Sequence, residues 1–439
     1  MQSSRPQRDD FFIYIAIMKN TVYLYLFALL ILCSNALAQN DSSFYARNAV
    51  KAVRTKEYSN LINNSITKNL SRPLTDATEE NWMDAFMAIE LTTYRSAWVD
   101  SRIKQAFDSV EKRSVEFQRA LLEMAYSNYH GKFIDVAERL MKKTSSPRIF
   151  AIAAEHYLAG VQDPNAWNNV IKYFSKRPDK DDQLAPYYGL LTGLISGYSA
   201  KKDLAWLVSN LKTALPGQVL LISFQRKNRN QPGLALVRDK NGNFIKNENG
   251  GIFSVPQLAR SLSNLPFYLT NGNTPQGIFR MNGFDISKSM AIGPTTNIQL
   301  LMPYETSPQH FLNDPSVTDS VWTEDVYKKL IPESLKEYLP LYETFFASKA
   351  GRTEIIAHGT TVNPAYYLNQ PYYPLTPTQG CLCTKELWSD QDGKRTLSDQ
   401  QKLVDAIKKA GGANGYCIVI EIDDQQKPVS LNEVLAYLK

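Results

Sequence analysis

Cysteine and histidine are both scarce in this chain, with four of each among 439 residues. So few cysteines cannot build the dense disulfide framework of a small secreted domain. Cys381 and Cys383 are separated by one residue and have no further metal-ligating residues nearby, so we expect no metal site. Nothing in the sequence implies a cofactor. The scarcity directs attention to single reactive side chains.

Charge of either sign is modest as well. The formal net charge is only +6, and no cluster of basic and aromatic residues of the kind that binds nucleic acid is present. Nucleic acid is therefore not an expected partner. A hydrophobic content of 44% is that of an ordinary globular protein, and the length allows two or three domains with their own cores.

A long apolar run stands near the N-terminus, from Val22 to Leu32, and Ala36-Leu37-Ala38 follows it. This is the pattern of a secretory signal peptide that is cleaved after Ala38, with Met18 as the true start. We expect residues 1–38 to be removed and the protein to be exported to the periplasm or cell envelope. The alternative is an uncleaved anchor, in which Phe11 to Ile17 joins the apolar run.

Residues 39–216 are helical in pattern. Apolar residues recur every three or four positions over 117–125 and again over 133–141, which predicts two helices joined by a short turn. A later helix is expected to open at Asp163-Pro164. We expect an all-α accessory domain of helical hairpins that ends at Pro216-Gly217, with an envelope protein as a candidate partner. His130 and His156 are interpreted as structural or surface residues.

Residues 217–439 are rich in strand patterns, so the predicted fold class is α+β. Gly233 to Arg238 and the Asn-Gly turn after it predict a hairpin, and further strands are expected at 265–269 and 277–282. A helical insertion is predicted at about 305–350, with a helix that opens at Pro332 and continues to Ala350.

Ser398 with Gln401 predicts a helix cap, and Cys417, on an apolar strand, is expected in the core. Asp285 and Glu305 are expected to be solvated, because acids are seldom buried.

One histidine and one cysteine bracket a loop in this half. An apolar run ends at His358, and the loop returns Cys381 directly after Gly380. A thiol attacks an acyl carbon as its thiolate, so it needs a base nearby, and the amides of Gln379, Gly380 and Cys381 are candidates for an oxyanion site. The alternative is a buried cysteine and a core histidine on neighbouring strands. Loss of Cys33 with the signal peptide leaves three cysteines, which suits a reduced nucleophile.

The loop itself carries four tyrosines, at positions 366, 367, 372 and 373. Tyrosine combines an apolar face with a hydroxyl, so Tyr366, Tyr367, Tyr372 and Tyr373 are candidate substrate contacts, together with Thr378. The alternative is a proline-stiffened loop that packs its own rings.

His-Gly-Thr at 358–360, followed by a loop and by Thr-Gln-Gly-Cys at 378–381, resembles the catalytic signature of L,D-transpeptidases. Two more segments agree: residues 273–279 resemble the family's Thr-Pro-X-Gly-X-Phe element, and 291–295 lie where its sheet continues. The resemblance covers about 219–422. The chain departs from the pattern at Gln379, where the family commonly has histidine, and at Cys383, where it commonly has arginine or asparagine.

The resemblance implies an activity and roles for these residues. Cys381 would attack a peptidoglycan stem peptide, His358 would take the thiol proton, and the Gly359 carbonyl would orient the imidazole. Transfer of the acyl group to an amine gives a cross-link, and transfer to water trims the peptide. The substitutions Gln379 and Cys383 keep an alternative open, a catalytically inactive envelope protein that binds through its helical half. An unrelated cysteine hydrolase is a third interpretation.

Overall fold

The N-terminal half of the described chain is helical. The computed structural model describes residues 44–178 and 204–438, so the predicted signal peptide, with Met18 and Cys33, lies outside it. Helices of this half and of the segment before the first strand are α1 Lys51–Asn60, which continues as a π-helix over Leu61–Lys68, α2 Glu79–Thr92, α3 Ala97–Ser109, α4 Val115–Asn128, α5 Ile134–Lys143, α6 Pro147–Gly160, α7 Ala166–Phe174 and α8 Leu204–Thr213.

Serine caps define where several of these helices begin. The hydroxyls of Ser96, Ser114 and Ser146 each accept an N–H three residues later and start α3, α4 and α6. The predicted hairpin of two helices is confirmed as α4 and α5. The helix expected at Asp163-Pro164 begins later, at Ala166, because the Asp163 carboxylate accepts the Asn165 N–H and forms a turn instead.

The second half is built on a closed barrel. Its strands are β1 Leu220–Arg226, β2 Gly233–Arg238, β3 Ser254–Leu258, β4 Gly277–Asp285, β5 Asn297–Leu301, β6 Ile356–His358, β7 Leu382–Thr384, β8 Glu386–Trp388, β9 Arg395–Ser398 and β10 Tyr416–Asp423. Eight of them close in the order β1-β10-β4-β5-β6-β7-β3-β2, and β8 pairs with β9 in a separate sheet. The described chain is therefore mixed helical and strand, with eight of its helices before the first strand.

The prediction of a strand at 265–269 is wrong. Pro266 cannot donate to a strand ladder, and its carbonyl accepts the Leu269 N–H in a turn. The apolar residues of the segment serve a different purpose, because Leu265, Tyr268 and Leu269 are buried in the core of the helical half.

The predicted helical insertion lies between β5 and β6 and is broken into short pieces. Its helices are α9 Pro308–Leu312, α10 Glu324–Lys328 and α11 Glu343–Lys349. The continuous helix expected from Pro332 to Ala350 is replaced by 3₁₀ turns at 333–335 and 339–342, since Pro340 lacks the N–H that a helix needs. Phe311, Tyr327 and Phe345 of the insertion pack on the barrel with Tyr416.

Two further helices complete the barrel half, α12 Asp399–Ala410 and α13 Leu431–Leu438. The Ser398 hydroxyl accepts the Gln401 N–H at 2.8 Å and caps α12, as predicted. Leu403, Val404 and Ile407 of α12 are buried in one core with residues of the barrel strands.

Helices and barrel share contacts across the predicted boundary at 216. The Tyr268 hydroxyl donates to the Glu155 carboxylate of α6 at 2.5 Å, and the Tyr367 hydroxyl donates to the Leu91 carbonyl of α2 at 2.8 Å. Phe44–Lys439 group as one compact unit. Within 44–178 and 204–438, no helix has both the length and the apolar character needed to cross a bilayer.

Candidate active site

Two neighbouring parallel strands bring the predicted histidine and cysteine to one place. Ala357 of β6 pairs with Leu382 of β7, and His358 pairs with Cys383. Cys381 directly precedes β7, and because side chains alternate along a strand, it points to the same face as Cys383 and His358. Within the described chain no hydrogen bond joins the imidazole to the Cys381 sulfur. Such contacts often tighten only when substrate binds.

The Cys381 sulfur lies between two backbone groups of the segment that leads into β6. The Ile356 N–H donates to it at 3.5 Å, and the Glu354 carbonyl is 3.7 Å away. Cys381 is partly exposed, whereas Cys383 and Cys417 are buried, and all three thiols are free. Burial raises the pKa of Cys381 to about 11, against the smaller opposing effects of the Ile356 N–H and the Arg352 charge. The thiol is therefore protonated at neutral pH.

His358 is held in one orientation and in one charge state. Its Nδ1 donates to the Gly359 carbonyl at 2.5 Å, the contact that the resemblance implies. With the proton on Nδ1, the other ring nitrogen is free of hydrogen and can accept one. Only 5% of the residue is exposed, and this burial lowers the pKa of His358 to about 4. A neutral imidazole and a neutral thiol thus face the same side of the sheet.

Glu386, which the sequence reasoning missed, supports the turn after the histidine. Its Oε2 accepts the Thr360 N–H at 3.0 Å, and its Oε1 accepts the hydroxyls of Ser398 and Thr295, both at 2.6 Å. A Cβ on Gly359 would collide with this carboxylate, so the close approach requires glycine there. The only sequence signal is a glutamate in a strand that is otherwise apolar, which is too weak to assign a role.

Arg352, which the sequence pattern does not single out, is a buried cation beside Cys381. Its Nη1 donates to the Asn273 carbonyl at 2.5 Å and to the Phe267 carbonyl, and its Nη2 donates to the Gly272 carbonyl at 2.7 Å. The guanidinium packs so closely on Gly380 that a Cβ there would collide with it. Burial lowers the pKa of Arg352 to about 10, which still leaves it charged at neutral pH. Its charge favours the thiolate form of Cys381.

The backbone next to the sulfur has an uncommon conformation. Glu354 has a φ of 63°, a left-handed value that non-glycine residues seldom adopt. Its N–H donates to Glu305 Oε1 at 2.8 Å, and Glu305 Oε2 accepts the Met302 N–H at 2.8 Å. Glu305 was predicted to be solvated, and this is wrong: it is half-buried, and burial raises its pKa. Asp285 is exposed, as predicted.

The turn before the cysteine is closed by Thr378. The Gly380 N–H donates to Thr378 Oγ1 at 3.0 Å, and that hydroxyl donates to the Cys381 carbonyl at 2.9 Å. Of the three amides predicted for an oxyanion site, the one at Gly380 is engaged in the turn. An oxyanion role for the amides of Gln379 and Cys381 stays a prediction. Thr378, predicted as a substrate contact, holds the turn that precedes Cys381.

The four tyrosines of the loop have different environments. Tyr367 and Tyr372 are buried with Leu258 and Leu375. These two rings follow the predicted alternative, in which the loop packs its own rings. Tyr366 stacks on Tyr58 of α1 with ring centroids 5.4 Å apart. Tyr373 is 45% exposed. The loop therefore joins the two reacting strands and also attaches them to the helical half.

The other candidate ligands and thiols have structural roles. Cys417 lies in the barrel core, as predicted, and burial raises the pKa of Cys383 to about 12. His156 is buried, with Nε2 2.7 Å from the Lys132 carbonyl. Residues 44–178 and 204–438 contain no group of three or more histidine, cysteine or acidic side chains placed to hold a metal ion. Comparison of the chain with models of protein families, with curated proteins and with solved structures finds no match.

Proposed function

We propose that this protein is a peptidoglycan-modifying cysteine acyltransferase of the cell envelope. It would form an acyl-enzyme with a stem peptide and pass the acyl group to an amine, as a cross-linking transpeptidase, or to water, as a carboxypeptidase. One observation carries the proposal: His358, oriented by its neighbour's carbonyl, ends β6, and the partly exposed Cys381 directly precedes the parallel neighbouring strand β7. The sequence resemblance to L,D-transpeptidases supplies the substrate class.

The acylation step follows from the protonation states. The Cys381 thiol gives its proton to the unprotonated nitrogen of His358 while the sulfur forms a bond to the peptide carbonyl carbon. The carbonyl oxygen becomes an oxyanion, which the amides of Gln379 and Cys381 receive. When the intermediate collapses, the C–N bond breaks and the imidazolium returns the proton to the leaving amine. A thioester on Cys381 remains.

Deacylation reverses these roles. His358 removes a proton from the incoming amine or water, which attacks the thioester carbon, and the C–S bond breaks to restore the thiol. During both steps the imidazolium is transient, and the Gly359 carbonyl stabilises it through the Nδ1 hydrogen bond. The buried Arg352 charge stabilises sulfur while it carries negative charge.

Mass spectrometry of the protein after incubation with a tetrapeptide stem tests this proposal. We expect the mass of a covalent acyl adduct on the wild type and on Cys417→Ala, and none on Cys381→Ala or His358→Ala. An adduct that persists in Cys381→Ala would reject the nucleophile. Absence of any adduct on the wild type, over a range of stem peptides, would reject the activity.

A second candidate function is an inactive envelope protein that binds a partner through its helical half. It is favoured by Gln379 and Cys383, which depart from the L,D-transpeptidase pattern, and by the absence, in the described chain, of a hydrogen bond between His358 and Cys381. Binding to isolated cell-wall sacculi without adduct formation on any stem peptide would support it. Binding that disappears together with Cys381 reactivity would count against it.

A further inference from the structure

A cavity of about 410 Å³ lies between the helical half and the tyrosine loop. This volume is within the range of small-molecule sites. Its walls come from the ends of α2 and α4, from the segment after β3 and from the loop between His358 and Cys381. The lining residues used below are Glu90, Arg95, Arg260, Tyr372 and Pro377.

One acidic and one basic side chain line this cavity without bonding to each other. Glu90 Oε1 is buried and has no hydrogen-bond partner. Arg260 is 8% exposed, and its Nε and Nη1 donate to Asn230 Oδ1 and to the Ser261 carbonyl, both at 2.6 Å. Among the residues that the structure describes, no hydrogen bond or ion pair links Glu90 to Arg260. A buried carboxyl oxygen without a partner is costly, and a ligand would satisfy it.

The other charged side chains near the cavity already have ion-pair partners. Arg95 is paired with Asp100, with Nε and Oδ1 at 2.6 Å. Glu123 of α4 is paired with Arg119 at 2.6 Å. The Arg260 guanidinium lies over the Tyr372 ring, 5.0 Å from its centroid, which leaves it beside the cavity wall without a carboxylate partner in the described chain. Glu90 and Arg260 are therefore the groups available to a ligand.

We propose that this cavity binds a short peptide with free ends, its ammonium on Glu90 and its carboxylate on Arg260. A zwitterion supplies a partner to both side chains and itself carries no net charge. Charge-assisted bonds of this kind are the strong ones in buried sites. Burial, then the nearby Glu123 charge, raises the pKa of Glu90 to about 8, so the empty carboxyl is mostly neutral at pH 7 and a bound ammonium would favour its ionised form.

The cavity wall is continuous with the turn that holds the nucleophile. Pro377 lines the cavity, and Thr378 exchanges backbone hydrogen bonds with the segment of Arg260: its N–H donates to the Arg260 carbonyl at 3.2 Å and its carbonyl accepts the Leu262 N–H at 2.7 Å. Peptide binding does not depend on acyl transfer by Cys381. If both occur, the cavity would hold a second peptide close to the acyl-enzyme.

Calorimetric titration of the Cys381→Ala protein, which cannot turn over, tests the site. The probes are the dipeptide Ala-Ala, its N-acetyl form, which lacks the ammonium, and its C-terminal amide, which lacks the carboxylate. We expect saturable binding of Ala-Ala and at least roughly tenfold weaker binding of each blocked form, since each blocked form loses one charge-assisted hydrogen bond. Glu90→Gln should weaken Ala-Ala by a similar factor and leave the N-acetyl form unchanged.

Glu155→Gln is the matched control. Glu155 is a second buried carboxyl whose pKa burial raises to about 7, but it bonds Tyr268 and does not line the cavity, so its loss should leave affinity unchanged. Thermal unfolding checks that each variant folds. The proposal is overturned if Ala-Ala does not bind, if blocked and free dipeptides bind equally, or if Glu90→Gln binds Ala-Ala like its parent. Adduct formation on Cys381 is a separate measurement, so the two proposals can fail independently.

Discussion

At the scale of single residues, the site is defined by two groups that burial keeps neutral. Burial lowers the pKa of His358 and raises that of Cys381, so the resting pair is imidazole and thiol, not imidazolium and thiolate. In the proposed acyl transfer, movement of the proton from Cys381 to His358 would therefore be part of the chemical step. Low thiol reactivity in the absence of substrate consequently does not mark the protein as inactive.

The pH dependence of alkylation tests this protonation state. The rate of Cys381 modification by iodoacetamide should rise roughly tenfold per pH unit from pH 7 toward the pKa of about 11, because only the thiolate reacts. Peptide mapping of the alkylated protein gives the rate at this residue, and Cys381→Ser gives the background. A plateau already at pH 7 would show a preformed thiolate and contradict the structure.

The charge of Arg352 should lower the pKa of the Cys381 thiol. Replacement by methionine removes a cation near the sulfur, so the pKa of Cys381 should rise and alkylation at a fixed pH of 8 should slow by roughly tenfold or more. Arg352→Lys keeps the charge and should retain most of the rate. An Arg352→Met protein that folds and reacts at the wild-type rate would show that the charge does not reach the sulfur.

Glu386 is a positioning residue, since it acts through the turn that follows His358. In Glu386→Gln an amide N–H can oppose the Thr360 N–H, so the turn and with it the Gly359 carbonyl should shift. We expect adduct formation at saturating stem peptide to slow roughly ten- to a hundredfold, with little change in KM. Asp285→Asn, on an exposed residue of β4, is the control. Equal losses in both variants, or a change in KM alone, would argue against this role.

At the scale of elements, the features that were predicted correctly are those that residues close together in the sequence determine. The periodicity of α4 and α5, the Asn-Gly turn after β2 and the Ser398 cap each involve residues close in sequence, and all are found. The segment 265–269 looked like a strand because it is apolar, but its burial depends on distant helices. The contacts of Arg352 and Glu386 could not be predicted from the sequence either, because each contacts residues that only the closed barrel brings near.

The contact between the tyrosine loop and α2 can be measured by removing one hydroxyl group. Tyr367→Phe removes the hydroxyl that donates to the Leu91 carbonyl at 2.8 Å and should lower the free energy of unfolding by about 1 kcal/mol. Chemical denaturation provides the value. Tyr373→Phe, on the exposed ring of the same loop, should stay within the error of the wild type. A neutral Tyr367→Phe would mean that the loop does not depend on α2.

At the scale of the whole molecule, helices and barrel are joined by a common core. Leu265, Tyr268 and Leu269 come from the barrel half of the sequence but are buried among the helices. The sequence places the change from helices to strands near residue 216, between α8 and β1, yet its pattern holds no signal of this shared packing. Patterns of neighbouring residues cannot predict which segments far apart in the sequence pack together.

Separation of the two halves tests how far they depend on each other. Expression of 217–439 alone exposes the three core residues to water, so we expect a product that aggregates or binds the dye ANS, whereas 39–439 should be soluble and unfold in one transition. Replacement of Leu265 and Leu269 by serine in the short form should restore some solubility. A short form that is monomeric and unfolds cooperatively without these changes would contradict the shared core.

The register of β10 has a consequence for how the molecule is made. This strand is inserted between β1 and β4, which come nearly 200 and 140 residues earlier in the chain. A ribosome delivers residues in order, so the ring of strands stays open until residue 423 has emerged. Any nascent form released before that point carries His358 and Cys381 without the strand that closes the barrel.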